Sequence, residues 1–140
     1  MPGQSSHTPA SPLALPLPDT RHATLGLILV RRMAVHGPLD SRASMLAMDA
    51  AGPHFRKLLV LGRAFLVDLG RTSARTIHLA PCCATGMTRD EGLIIELMEN
   101  GGLDVLAALT DDAKSCAARD TALAFGRELR ALACRRGWKS

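Results

Sequence analysis

The chain has 140 residues, 47% of them hydrophobic and 21% charged, and this length can bury one hydrophobic core without disulfides or a structural metal. The net charge of +4 permits contact with nucleic acid or an anionic membrane without requiring it. No apolar run approaches the roughly 20 residues that cross a bilayer, and a signal peptide's charged and apolar regions are lacking, so we expect a cytoplasmic protein without a transmembrane helix.

The first predicted segment is a proline-rich leader over residues 1–20, which holds five of the eight prolines together with Ser, Thr, Gln and Gly. Proline fixes φ and removes a backbone donor, so this arm is expected to be disordered and to lie outside the fold. The remaining residues, 21–140, are predicted to form one domain.

Apolar residues at helical spacing predict three helices before residue 70. The first begins after a cap at Asp19 or Thr20 and runs to about Val35, with Arg31 and Arg32 in its last turns, near the negative end of the helix dipole. The second covers 39–51, with Leu39, Ala43, Leu46 and Ala50 on its apolar side. The third has the clearest pattern, since its apolar residues recur at i, i+3, i+4 and i+7: Phe55, Leu58, Leu59, Gly62, Phe65, Leu66 and Leu69.

The segment 76–80 is ambiguous, because TIHLA fits a short strand, a buried turn or a helix. A fourth helix is predicted to open at Thr88, since Thr88 and Glu91 have the spacing of a capping box, and to end at 100–102. A short apolar helix or turn follows at 103–109. Thr110 or Asp111 is expected to cap a last helix ending at about Arg136, whose predicted apolar stripe is Ala118, Ala122, Phe125, Leu129 and Leu132. The predicted fold is all-α, a bundle of about five helices with at most one short strand near 76–80.

Two adjacent cysteines, Cys82 and Cys83, form the most distinctive chemical feature of the sequence. If one of them folded back onto the helix that starts at Thr88, the helix dipole and Arg89 would favour its thiolate, which would make it a nucleophile or a redox sensor. Free cysteine is also among the most buried residue types. We favour burial of both thiols as small apolar groups, and we expect Cys116 to pack beside the final helix.

Metal binding is a second interpretation, with His78, Cys82 and Cys83 as the candidate ligands. Structural zinc sites use ligand pairs separated by about two to four residues, and no Cys-x-x-Cys pair occurs. Cys116 and Cys134 would lie about 27 Å apart on one helix, so they cannot share an ion. We therefore expect no metal or other cofactor, with zinc as the alternative.

Nucleic-acid binding is a third interpretation, because four arginines follow one another along the third helix and the segment after it: Arg56, Arg63, Arg71 and Arg75. Such a strip can bind anionic groups. Protein modules that recognise single-stranded nucleic acid also need aromatic residues among the charged ones, and aromatic residues make up only 3% of this chain. A solvated helix face is the simpler explanation.

Short motifs in the chain resemble a family of small uncharacterised proteins from sphingomonad-type alphaproteobacteria. The motifs are 31-RRM-33, 58-LLVLGRAFLVDLGR-71, 80-APCC-83 and 87-MT-88. The resemblance covers residues 21–135 and implies a bacterial, cytoplasmic origin, but it transfers no catalytic residue.

No catalytic motif is present in the sequence: there is no phosphate-binding glycine loop, nucleophile elbow or His-Glu metal helix. The leading hypothesis is therefore a small non-enzymatic interaction or regulatory protein with an unidentified protein partner. A thiol-based redox or metal-binding protein that uses Cys82 and Cys83 is the first alternative, and nucleic-acid binding is the second.

Overall fold

The computed structural model describes residues 13–73, 75–110 and 116–138. Their helices are α1 (Arg21–His36), α2 (Ser41–Ala51), α3 (Phe55–Thr72), α4 (Arg89–Asn100), α5 (Leu103–Leu109) and α6 (Cys116–Arg136), with a 3₁₀ turn at Gly52–His54. Five of the six α-helices are 11 residues or longer and α5 has seven. The prediction of a helical bundle is confirmed.

The helix boundaries follow the local signals in the sequence. The Thr20 hydroxyl caps α1 by accepting a hydrogen bond from the Ala23 N–H, and Asp40 caps α2 in the same way through the Ala43 N–H. Gly101 ends α4 in the left-handed conformation, with φ 64°. Thr110 was predicted as a possible cap of α6, but it ends α5 instead; Asp111, the other predicted cap, lies outside the described residues.

The last helix, α6, organises the core by packing against α1, α3 and α4. Its predicted apolar stripe is buried as expected, and it meets the buried stripe of α3. Leu39 was expected on the buried side of the second helix, but it is 78% exposed because α2 begins only at Ser41. The largest apolar side chains of this core are Leu27, Leu29, Met33, Leu58, Phe65, Ile94, Leu97, Met98, Leu109, Phe125 and Leu129.

A two-stranded antiparallel sheet joins the N-terminal segment to the start of α4. Strand β1 (Leu15–Pro16) pairs with β2 (Gly86–Met87), in the register Leu15 to Met87 and Pro16 to Gly86. Residues 13–20 of the predicted leader thus include a strand and the cap of α1, while residues 1–12 lie outside the described part of the chain.

The strand considered near 76–80 is not formed, because this extended segment satisfies its N–H groups differently. The His78 N–H donates to Asp90 and the Ala80 N–H donates to Glu91, both in the first turn of α4. Side-chain carboxylates therefore take the place of a neighbouring strand.

Candidate functional site: the thiol turn

The two adjacent cysteines lie at the centre of a β-turn. The Ala84 N–H donates to the Pro81 carbonyl oxygen over 3.0 Å, so Cys82 and Cys83 are the two central residues. We name residues 81–84 the thiol turn. Both thiols are free and exposed, and the expectation that they are buried is wrong. The physical reason is the turn itself, which lies at the surface and leaves its two central residues exposed to solvent.

A buried ion pair between Arg31 and Glu91 lies beneath the thiol turn. The Arg31 side chain is 1% exposed and the Glu91 side chain 0% exposed. Arg31 Nε and Nη2 donate to Glu91 Oε2 and Oε1, each over 2.8 Å. This is the bidentate geometry in which a guanidinium binds a carboxylate most strongly. The sequence explained the position of Arg31 only by the helix dipole. That explanation is incomplete, because the charge of Arg31 is paired inside the protein.

The same two side chains hold both ends of the thiol turn. On the N-terminal side, Glu91 Oε2 accepts the Ala80 N–H over 2.9 Å. On the C-terminal side, Arg31 Nη2 donates to the Gly86 carbonyl over 2.7 Å, and Nη1 donates to the Ala84 carbonyl over 3.4 Å. A buried charge is tolerated when its partner and its remaining hydrogen-bond sites are all supplied, and here the backbone of the turn supplies them.

The predicted capping box of α4 is confirmed and completes the network. The Thr88 hydroxyl accepts the Glu91 N–H, and Glu91 Oε1 accepts the Thr88 N–H over 2.9 Å. The Thr88 hydroxyl also donates to the His78 carbonyl over 2.7 Å. Glu91 therefore accepts four hydrogen bonds, two from Arg31 and two from backbone N–H groups, which accounts for both carboxylate oxygens.

A second ion pair fixes the segment that leads into the turn. Arg75 Nη1 and Nη2 donate to the two carboxylate oxygens of Asp90 over 2.9 and 2.8 Å, and the His78 N–H donates to the same carboxylate over 2.8 Å. The hydrogen bonds from Arg75, and after them the one from His78, hold the pKa of Asp90 below its usual value against the opposing effect of burial.

The cation next to the thiol turn is Arg32, whereas the sequence suggested Arg89. Arg32 Nη1 lies 4.0 Å from Cys82 Sγ. Arg32 Nε and Nη2 are held by Asp40 over 3.1 and 3.2 Å, and these bonds keep the pKa of Asp40 below its usual value. Asp40 also caps α2, so the guanidinium is oriented from a rigid helix end and its third nitrogen faces the sulfur.

A cavity of about 380 Å³ lies beside the Cys82 thiol. Its lining is contributed by the end of α1 and the segment before the turn: Arg31, Arg32, Val35, His36, Leu79, Ala80, Pro81 and Cys82. This volume falls within the range of small-molecule sites, so a small reagent has room to approach the sulfur next to Arg32.

The three candidate metal ligands do not form a metal centre within the described ranges. His78 is exposed, like Cys82 and Cys83. Residues 13–73, 75–110 and 116–138 contain no group of three His, Cys, Asp or Glu side chains placed to hold an ion. Cys116 is the first residue of α6 and is exposed, so the expectation that it packs beside the helix is wrong.

The four candidate anion-binding arginines have different surroundings. Arg75 is paired with Asp90, and Arg63 Nε donates to the Pro38 carbonyl. The Arg56 guanidinium lies over the Phe55 ring, 5.8 Å from its centroid, and Arg71 is exposed in the last turn of α3. The four arginines therefore do not form a uniform basic strip, because Asp90 neutralises the charge of Arg75.

Sequence reasoning missed Arg31, Arg32 and Asp90 as parts of this site. The only local signal was the capping box, which identified Glu91 but not its ion-pair partner Arg31, 60 residues away in the chain. Consecutive arginines at the end of a helix give no sign that one is buried and the other directed at a thiol.

Among the helices of the described residues, none combines the length and apolar character needed to span a membrane. Comparison with the curated proteins and with the solved structures found no match. Comparison with protein-family models found one over residues 4–140, which is nearly the whole sequence and extends beyond the range of the resemblance inferred from motifs. The chain therefore belongs to the family described as Family of unknown function (DUF6628).

Proposed function

We propose that this chain is a small, non-enzymatic regulatory protein of the bacterial cytoplasm, and that Cys82 is its responsive group. The observation that carries the proposal is the exposed Cys82 sulfur, 4.0 Å from the Arg32 guanidinium, on a turn fixed at both ends. Thiols that react selectively are exposed and lie in positively charged surroundings. Cys82 is exposed and has the Arg32 guanidinium, which Asp40 also binds, beside its sulfur, and the cavity next to it admits a reagent.

The reaction that fits this geometry is thiol–disulfide exchange with a small-molecule disulfide. The Cys82 thiolate attacks one sulfur, the S–S bond of the small molecule breaks, and a new S–S bond joins its first half to Cys82. The second half leaves as a thiolate and takes up the proton that Cys82 released. The number of S–S bonds is unchanged, and a free thiol reverses the modification.

A disulfide between Cys82 and Cys83 is disfavoured by their adjacency. Consecutive Cα atoms are about 3.8 Å apart across a trans peptide, whereas disulfides usually join Cα atoms roughly 4.4–6.8 Å apart. The peptide bonds within the ranges 13–73, 75–110 and 116–138 include no cis bond. We therefore expect a mixed disulfide at Cys82 to form in preference to an internal one.

Peptide mapping by mass spectrometry after incubation with oxidised glutathione tests the chemistry. The expected product is a single glutathione adduct at Cys82, released by dithiothreitol. Cys82→Ser removes the adduct, and Cys134→Ser, which alters another exposed thiol, leaves it in place. Adducts spread evenly over the four exposed cysteines, or no adduct, would overturn the proposal.

The regulatory role is tested by protein binding in the two states of the thiol. Pull-downs from native lysate with reduced protein and with protein modified at Cys82 should differ in at least one captured protein, and Cys82→Ser should behave as the reduced form under both conditions. Identical captures in the two states would contradict regulation through this turn, even if the chemistry is selective.

A further inference from the structure

A second cavity, of about 400 Å³, lies between the end of α1, α3 with Ser73 after it, and the segment 75–79. Its wall is mainly aliphatic, and the side chains that carry the argument are Met33, Leu66, Val67, Ile77, Leu79 and Ile94. Small-molecule sites in proteins have this character, an apolar body of roughly 300–1,000 Å³ with few polar groups. The Val67 side chain is 47% exposed, so the cavity is reached from solvent along α3.

The charge on this cavity has one sign. Arg63 and Arg75 both line it, and no acidic residue does so within the described part of the chain. Arg75 is occupied by Asp90, which lies outside the lining. Arg63 uses Nε to bind the Pro38 carbonyl, and it forms no ion pair with any residue of the ranges 13–73, 75–110 and 116–138.

We propose that this cavity binds an aliphatic monocarboxylate of medium chain length, with the carboxylate on Arg63 and the hydrocarbon chain against the apolar wall. A guanidinium that already has its Nε bonded keeps two terminal nitrogens for a carboxylate, and charge-assisted hydrogen bonds of this kind are the strong ones. Contact between the hydrocarbon chain and the apolar wall strengthens binding, because the transfer of each methylene out of water is favourable. This site is separate from the thiol turn and does not depend on its reactivity.

Isothermal titration with decanoate, below the concentration at which it forms micelles, tests the proposal. We expect saturable binding at one site. Decan-1-ol, which has the same chain without the charge, should bind roughly tenfold more weakly, and acetate, which has the charge without the chain, should not bind measurably. Equal affinity for decanoate and decan-1-ol, or no saturable binding of decanoate, would overturn the proposal.

Two pairs of variants locate the site. Arg63→Gln should weaken decanoate binding roughly tenfold, whereas Arg71→Gln, an exposed arginine on the same helix that does not line the cavity, should leave it unchanged. Val67→Asp places a negative charge in the wall and should abolish binding. Val60→Asp makes the same change two turns earlier on α3, at a 57% exposed position outside the lining, and should not.

Circular dichroism of each variant shows whether it is folded. If Arg63→Gln is unstable because the Pro38 contact is lost, the comparison of Val67→Asp with Val60→Asp still tests the proposal. Indistinguishable affinities within either pair of folded variants would show that decanoate does not occupy this cavity.

Discussion

Arg31 and Glu91 lie 60 residues apart in the chain and form a fully buried, bidentate ion pair, with both nitrogen–oxygen distances 2.8 Å. The pair joins the end of α1 to the first turn of α4, and its remaining hydrogen bonds go to the backbone at 80, 84, 86 and 88. Residues 80–85, which carry Cys82 and Cys83 and belong to no helix or strand, are therefore fastened to two helices.

Removing one partner of this pair should be strongly destabilising, because it leaves the other charge buried and unpaired. We expect Arg31→Met to lower the free energy of unfolding by about 3–5 kcal/mol, measured by urea denaturation followed by circular dichroism. Amide hydrogen exchange at Ala80 and Thr88, whose N–H groups bind Glu91, should become faster than in the unaltered protein.

The double variant Arg31→Met with Glu91→Gln distinguishes charge burial from lost packing. Since neither buried charge remains, its loss of stability should be smaller than the sum of the losses in the two single variants. Strict additivity would mean that the two side chains stabilise the fold independently, contrary to the coupling inferred from their geometry.

The Asp90 carboxylate should make stability depend on pH. Its pKa in the folded protein is lowered, chiefly by Arg75, so its contribution is present above the unfolded value of about 3.9 and is lost as the pH falls through the folded value. Asp90→Asn should therefore cost about 1–3 kcal/mol at neutral pH, and the difference from the unaltered protein should shrink as the pH falls below about 4.

The measurement for Asp90 is urea denaturation at a series of pH values from neutral to about pH 3, with Asp49→Asn as the control because Asp49 is exposed on α2. The control should show little stability difference at any pH. A stability difference for Asp90→Asn that stays constant across the series would contradict the assigned ionisation.

Close approach of α4 and α6 requires glycine at position 126. A Cβ atom there would collide with the backbone carbonyl oxygen of Met98, which cannot move without shifting α4. We expect Gly126→Ala to destabilise by about 1–3 kcal/mol, whereas Gly70→Ala, on α3 with open space around the new methyl group, should be neutral or stabilising. Thermal denaturation of the two variants compares them directly, and equal melting temperatures would refute the packing argument.

Features set by residues near in sequence were predicted well. The apolar stripe of α3, a cap of α1 at Asp19 or Thr20 and the capping box of Thr88 and Glu91 each depend on residues within one or two helical turns, so their spacing is sufficient to predict them; of the two possible caps of α1, Thr20 is the one formed. The membership of Phe125 and Leu129 in the core follows from the same periodicity.

Features that depend on distant residues were not predicted. No local pattern indicates that Leu15 pairs with Met87, or that the N–H groups of His78 and Ala80 are bound by the carboxylates of α4 rather than by a strand. The expectation that the adjacent cysteines are buried was wrong for the same reason. The general tendency of cysteine to be buried is overridden here by a turn whose ends are fixed by Arg31, 50 or more residues away.

The central claim, that Cys82 is selectively reactive because Arg32 lies beside it, is tested most directly by the rate of iodoacetamide labelling at each cysteine of the folded protein. Mass-spectrometric mapping should show Cys82 labelled several times faster than Cys83, Cys116 and Cys134, which are also exposed. Arg32→Gln should reduce the rate at Cys82 to that of the others, while the control Arg89→Gln should not. Equal rates at the four cysteines in the unaltered protein, or a Cys82 rate unaffected by Arg32→Gln, would contradict the claim.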